Sequence, residues 1–399
     1  MPFQFKGYAL DVDRRELRRG SELVAVEPQV FDLLVFLIRN RDRVVSKDDL
    51  IEGVWGGRII SESTLTSRIN AARRAVGDSG AEQSLIKTIA RKGFRFIGDI
   101  PGDAAPTVAA ATAGTPQAQP PLRQDIKFCT ASDGVRIAYA TVGSGPPLLK
   151  TANWLNHLEY DWQSPIWSHL LRALASRHQL IRYDERGNGL SDWDVADISF
   201  DAFVRDLESV VEANALQRFA LLGISQGCAV SIAYAVRHPE RVSHLILYGG
   251  YARGRRKRGQ PATIEQTEAL LTLMRQGWGQ ENPAFRQIFT SMFIPEATAE
   301  QANWFNDLQR MTTSPENAAR IREALDDLDV SGLLRDVGVP TLVLHCREDA
   351  VQPFEEGRRV AAGIPGSRFV ALDSRNHMIL EHEPARARLL DEISRFLET

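Results

Sequence analysis

Three cysteines in 399 residues are too few for a disulfide framework. Cys129, Cys228 and Cys346 lie far apart in apolar surroundings without metal-ligand spacing, so they are expected as reduced core residues, with no metal and no cofactor. No apolar run approaches the ~20 residues that cross a bilayer, so no membrane partner is expected. Met1-Pro2-Phe3-Gln4-Phe5-Lys6 also lacks the hydrophobic stretch of a secretory signal. Neither sign of charge prevails: 48 Lys and Arg face 51 Asp and Glu, a net charge of −3. These absences exclude a stapled secreted scaffold and a membrane span, and the expected compartment is the cytoplasm. What is present, 43% hydrophobic and 25% charged residues, is ordinary for a globular protein. The chain is longer than one core usually serves, which predicts two domains.

The near-neutral total hides an asymmetry. Residues 1–100 hold 17 basic against 14 acidic side chains, and seven of the basic ones fall within 68–95 against two acidic. That cluster is an electrostatic footprint for phosphates, although a solvated face would look the same. Phe3 to Val26 alternates apolar and polar residues around Lys6-Gly7 and Arg19-Gly20-Ser21, which predicts a small antiparallel sheet. Pro28 opens a helix with Val30, Phe31, Leu33, Leu34, Leu37 and Ile38 on its apolar face. Ser46 caps a second helix through Leu50, Ile51 and Val54, which breaks at Gly56-Gly57. A third, from about Ser61 to Val76, buries Leu65, Ile69, Ala72 and Val76 and turns out Thr66, Ser67, Asn70, Arg73 and Arg74. Ile86–Ile89 and Phe94–Ile97 then form a hairpin around Ala90-Arg91-Lys92-Gly93.

Sheet, three helices and a basic-tipped hairpin make a winged helix. Glu27-Pro28-Gln29-Val30-Phe31-Asp32-Leu33-Leu34, Val44–Ile51, Val54-Trp55-Gly56 and Ile86–Phe96 give residues 16–98 a resemblance to the OmpR/PhoB-type DNA-binding domain of bacterial transcriptional regulators. The resemblance implies that the third helix enters the major groove of duplex DNA and the wing the adjacent minor groove. Arg68, Arg73, Arg74, Arg91 and Lys92 are then the phosphate-facing candidates, with Thr66, Ser67 and Asn70 near base edges. The family usually carries more basic residues where this chain has Asn70-Ala71-Ala72, so its DNA sequence preference does not transfer. A winged helix used only for protein contacts is the alternative.

Between Pro101 and Arg123 twelve of 23 residues are Ala or Pro, a composition that builds no core and predicts an interdomain linker. From 124 to 399, strand and helix patterns alternate, which implies a mainly parallel sheet covered on both faces. Within it, Phe219–Ile224 is a short apolar run that passes through Gly223-Ile224-Ser225-Gln226-Gly227 directly into the helical pattern Ala229–Arg237. Strand, Gly-x-Ser-x-Gly, helix is the context of a nucleophile elbow, with the glycines where a Cβ would clash. Residues 252–330 interrupt the alternation with an aromatic-rich helical excursion, the expected lid. At its start Arg253-Gly254-Arg255-Arg256-Lys257-Arg258 is expected as a solvated loop.

With Tyr183–Asp192, Leu344–Pro353 and Asp373–Met378, the elbow resembles the α/β-hydrolase fold over 124–399. The resemblance implies a catalytic triad in the order Ser225, Asp349, His377. His377 is the expected base and Asp349 its orienting acid, with Glu348 as rival. The expected oxyanion donors are the backbone N–H groups of Gln226 and Trp154. Where the family commonly reads His-Gly-x, this chain has Ala152-Asn153-Trp154, so Asn153, Trp154 and His157 are expected on the wall of a ligand pocket. Two functions follow. One is a ligand-responsive regulator, DNA-binding and homodimeric, whose hydrolase-like domain senses a small molecule. The other is a working esterase with an accessory DNA-binding domain.

Overall fold

The computed structural model describes residues 3–12, 14–20, 22–41, 43–55, 62–79, 82–89, 93–98 and 122–398. The chain divides into two compact units, Met1–Pro116 and Gln117–Thr399. Most of the expected linker, and the wing tip with Arg91 and Lys92, lie outside the described residues.

In the first unit β1 (Phe3–Phe5), β2 (Tyr8–Asp11), β3 (Glu16–Arg19) and β4 (Glu22–Val24) form an antiparallel sheet in that order. Helices α1 (Pro28–Arg39), α2 (Lys47–Trp55) and α3 (Glu62–Ala75) follow, then the hairpin β5 (Ile86–Ile89) and β6 (Gly93–Phe96). Ser46 starts α2 as its pattern predicts: the Asp49 N–H donates to Ser46 Oγ at 3.0 Å, and the Ser46 N–H donates back to Asp49 Oδ2 at 2.9 Å. The apolar faces of α1 and α3 supply the core, with Leu33, Leu34, Leu37, Ile38 and Ala72 fully buried beneath Leu10, Ile86 and Phe96. Gly77 ends α3 at φ +65°, where a side chain would be strained and a Cβ would lie 2.7 Å from the Tyr8 hydroxyl. Asp78, next along, accepts the N–H groups of Ser84, Leu85 and Ile86 at 2.8–3.0 Å and so ties the end of α3 to β5.

The second unit is an eight-stranded sheet in the order β14-β13-β12-β11-β9-β10-β8-β7. Strand β7 (Asp125–Thr130) pairs antiparallel with β8 (Arg136–Val142), and β8 pairs antiparallel with β10 (Gln179–Tyr183). Strands β9 (Pro147–Lys150), β11 (Phe219–Ile224), β12 (Val242–Tyr248), β13 (Thr341–Cys346) and β14 (Arg368–Leu372) continue in parallel. All six residues of β11 are buried, as a parallel strand covered on both faces requires. The covering helices are α4 (Leu158–Gln163), α5 (Ser168–Ala175), α6 (Phe200–Ala213), α7 (Gly227–Arg237), α12 (Phe354–Gly363) and α13 (Pro384–Leu397). The excursion between β12 and β13 consists of α8 (Pro261–Gly277), α9 (Ala284–Phe293), α10 (Ala299–Thr312) and α11 (Pro315–Asp327). Among the described residues no helix is long and apolar enough to cross a membrane, and no His, Cys, Asp or Glu cluster has the geometry to hold a metal.

Candidate active site and nucleic-acid interface

The turn between β11 and α7 holds Ser225 at φ +53°, a left-handed conformation costly for a residue with a Cβ. Glycine on either side makes it sterically feasible. A Cβ on Gly223 would lie 2.7 Å from the Cys228 Cα, and one on Gly227 would lie 2.7 Å from the Ala152 carbonyl oxygen. The Ser225 N–H donates to the Tyr248 carbonyl at 2.9 Å, which fixes the turn to the end of β12. That same strand end meets the histidine loop: the Tyr248 hydroxyl donates to the His377 carbonyl at 2.8 Å and accepts from the Ile379 N–H at 3.2 Å. Ser225 and His377 thus flank one strand end.

His377 Nδ1 lies 2.6 Å from Asp349 Oδ2, both side chains buried. Asp349 Oδ1 accepts the N–H groups of Val351 and Gln352, each at 2.9 Å. Burial works to raise the Asp349 pKa, but the adjacent imidazole and these donors outweigh it and hold the group below the ordinary carboxylate range. A carboxylate at Nδ1 places the ring proton there, and His377 Nε2 is left buried with no hydrogen-bond partner among the described residues. A serine base works through an Nε2 hydrogen-bonded to the serine hydroxyl, and that bond between His377 and Ser225 is not formed here. Glu348, the rival acid, points to solvent with its side chain 71% exposed, 3.6 Å from Arg375.

Phe293, at the end of α9, packs edge-on against the His377 ring with centroids 5.4 Å apart. Its carbonyl also accepts the His377 N–H at 2.9 Å, so the lid is bonded to the histidine loop. Trp154 is buried, stacked on Trp278 of the lid with centroids 5.7 Å apart and edge-on to Phe289. Neither the Gln226 nor the Trp154 backbone N–H donates to another group among the described residues. Asn153 is buried and accepts from the Lys150 ammonium. His157, expected on the pocket wall, has a structural role through Nδ1. That atom accepts the Glu159 and Tyr160 N–H groups at 3.3 and 3.4 Å and caps α4. Burial lowers the His157 pKa, which favours the neutral ring that this role needs.

Buried charge behind the elbow escaped sequence reasoning. Burial, reinforced by Asp206, pushes Glu185 up to about 8; its neighbours include the Gln226 amide and Lys150. Burial also lowers Lys150 to about 8. The only signal was an acidic residue inside Asp184-Glu185-Arg186-Gly187. Arg186 in that stretch is a buried strut, 2.7 Å from Asp206 and 2.6 Å from Asp133.

In the first unit Ser67, Asn70 and Arg74 are exposed at three- and four-residue spacing on one face of α3. Arg68 is half-buried and pairs with Glu27. The side chain of Thr66, and Arg91 and Lys92 entirely, lie outside the described residues. Arg73 does not join the outward face and its assignment to phosphate is corrected. It is buried, donating to the Ile86 carbonyl from Nε at 3.1 Å and Nη2 at 2.9 Å, and to Thr88 Oγ1 at 2.8 Å. The spacing put Arg73 outward; the chain's return along β5 covers it.

Residues 20–96 match the family model of the C-terminal domain of transcriptional regulatory proteins, and residues 162–289 match that of the alpha/beta hydrolase fold. The AB hydrolase superfamily protein YisY of Bacillus subtilis is 27% identical over 263 residues, 63% of this chain and 91% of that protein. The pyrrolizixenacetamide deacetylase of Xenorhabdus hominickii is 25% identical over 252 residues, 59% of this chain and 86% of that protein. The solved structure of an esterase from Exiguobacterium antarcticum covers 68% of this chain and 99% of its own at 25% identity, with a TM-score of 0.59. The chain is thus a fusion of an OmpR/PhoB-type winged-helix DNA-binding domain with an α/β-hydrolase-fold domain.

Proposed function

We propose that this protein is a cytoplasmic, homodimeric transcriptional regulator whose α/β-hydrolase-fold domain senses a small ester-type ligand at Ser225, Asp349 and His377. The observation that carries this reading is the buried His377–Asp349 pair at 2.6 Å, bonded to a lid through Phe293, in a chain that also carries a regulator's DNA-binding domain. Ser225 acts as nucleophile, His377 takes its proton through Nε2, and Asp349 stabilises the imidazolium that forms. The N–H groups of Gln226 and Trp154 receive the negative charge on the former carbonyl oxygen.

A ligand changes DNA binding only if it prefers one arrangement of the protein over another. The lid is the moving part in this reading, since Phe293 and Trp278 meet both the site and the rest of the excursion. One winged helix reads a short site, so paired half-sites and a dimer supply the affinity. The cytoplasmic placement in this reading is supported by the DNA-binding domain, whose partner is DNA. The second reading, an esterase with an accessory DNA-binding domain, draws on the esterase and deacetylase among the similar proteins. The test is to label the full chain with a fluorophosphonate and to screen short-chain esters for hydrolysis and for an effect on DNA affinity. Hydrolysis without any effect on DNA affinity selects the second reading; neither labelling nor a ligand effect removes both.

A further inference from the structure

The arginine run expected as a solvated loop is mostly not solvated. Of Arg253, Arg255, Arg256, Lys257 and Arg258 only Lys257 is exposed. Arg256 is neutralised, 2.7 Å from Glu268 and 3.0 Å from Asp327. Arg253, Arg255 and Arg258 instead line a cavity of about 880 Å³, joined there by Arg359 of α12. Leu270 and Leu273 of α8, Met292 of α9 and Val351 give the same cavity an apolar wall.

The cavity's two carboxylates do not match its cations. Glu355 lies 2.9 Å from Arg358, outside the cavity lining. Glu356 stands 3.7 Å from Arg253 and 3.5 Å from Arg359, one carboxylate between two guanidiniums. Arg255 and Arg258 have no ion pair among the described residues. Arg255 donates only a long bond to the Val351 carbonyl at 3.5 Å, and Arg258 donates to Gln352 Oε1 at 2.6 Å and to the Arg253 carbonyl at 3.0 Å. The next acid, Asp326, accepts from Arg322 Nε at 2.8 Å. Burial, and after it the like charge of Arg322, pulls Arg255 down to about 9. Arg253 Nε is buried without a partner. Guanidiniums short of anions are costly to bury, and beside an apolar wall they match an amphiphilic anion.

We propose that this cavity is a binding site for a small organic carboxylate, its head held by Arg255 and Arg258 and its apolar body lying on Leu270, Leu273 and Met292. It is separate from the Ser225 site, since Ser225, Gln226 and His377 are not among its lining residues. The two sites are joined by one residue. Gln352 accepts from Arg258 through its side chain and donates to Asp349 Oδ1 through its N–H at 2.9 Å. An anion on Arg258 therefore acts beside the acid that orients His377, and its tail lies on the lid. The site stands whether or not Ser225 turns over an ester.

Sodium octanoate is the probe, titrated calorimetrically into the full chain against octan-1-ol of the same tail. Octanoate is expected to bind saturably and at least about ten-fold more tightly than the alcohol, the factor a charge-assisted contact supplies. Ser225→Ala is expected to leave this binding intact, and Arg255→Gln with Arg258→Gln to weaken it by about ten-fold or more. Equal binding of octanol, no saturable octanoate binding, or displacement of octanoate by phosphonylation of Ser225 overturns the proposal. The wild-type comparison decides even where the arginine variant fails to fold.

Discussion

Arg73 and Arg74 are adjacent and identical, yet substituting them one at a time should give opposite results. Arg73→Ala removes three hydrogen bonds from a buried guanidinium and strands the Ile86 carbonyl. Hydrogen bonds to charged groups contribute about 1.5–3 kcal/mol, and the three share one side chain, so the expected loss is roughly 2–4 kcal/mol. A domain of this size moves by about 4–8 °C per kcal/mol, so its calorimetric transition should fall by roughly ten to thirty degrees in the full chain. Arg74 is exposed, with no ion pair among the described residues. Arg74→Ala should change stability by less than ~0.5 kcal/mol. It should instead lower the slope of log affinity against log salt by ~0.9, one phosphate contact, on any fixed duplex. A stable Arg73→Ala variant with a reduced salt slope would place that side chain on DNA and refute the buried clamp. An unchanged slope in Arg74→Ala would take this face of α3 off the duplex.

Further outcomes are expected at Ser225 and at Asp78. A fluorophosphonate should label Ser225; His377→Ala should abolish labelling, Asp349→Asn should slow it by about 10³–10⁴-fold, and Glu348→Gln should leave it unchanged because that side chain faces solvent. Asp78 is pulled in opposite directions, by burial upward and by its backbone N–H donors downward, and the donors win, holding it at about 2. A depressed carboxylate contributes stability that is present above its unfolded pKa of ~3.9 and is lost as pH falls through about 2. Asp78→Ala should therefore cost the winged helix roughly 2–3 kcal/mol at neutral pH and flatten its acid denaturation between about pH 4 and 2, read by calorimetry.

Both folds could be read from the chain because local signals agreed with tertiary ones. Ser46 with Asp49, Pro28 ahead of an apolar stripe, and the six apolar residues of β11 each named an element that formed. The elbow was legible for a steric reason: Gly223 and Gly227 sit where a Cβ would overlap backbone, so only one local structure suited that spacing. Legibility failed where a side chain's surroundings came from distant chain. Arg73 has the periodicity of an outward residue, but β5 returns over it. The arginines at 253–258 read as a soluble charge run, but α8, α9 and α12 close around them. The capping role of His157 was not legible because nothing in the sequence announced the short helix α4. Glu185 gave no sign of its raised pKa, since burial between β10 and the elbow is a property of the assembled sheet.

The central claim is that occupancy at Ser225 is felt by the winged helix. It is tested by measuring affinity for a duplex selected from a random pool, before and after treatment with a fluorophosphonate, in the full chain, where the reagent phosphonylates Ser225, and in residues 1–100 alone, which lack that serine. A sensor domain predicts a change of about five-fold or more in the full chain, the lower range of an allosteric coupling, and weak, unresponsive binding by the fragment. A fully phosphonylated chain that binds the duplex with the affinity of the free protein would contradict it.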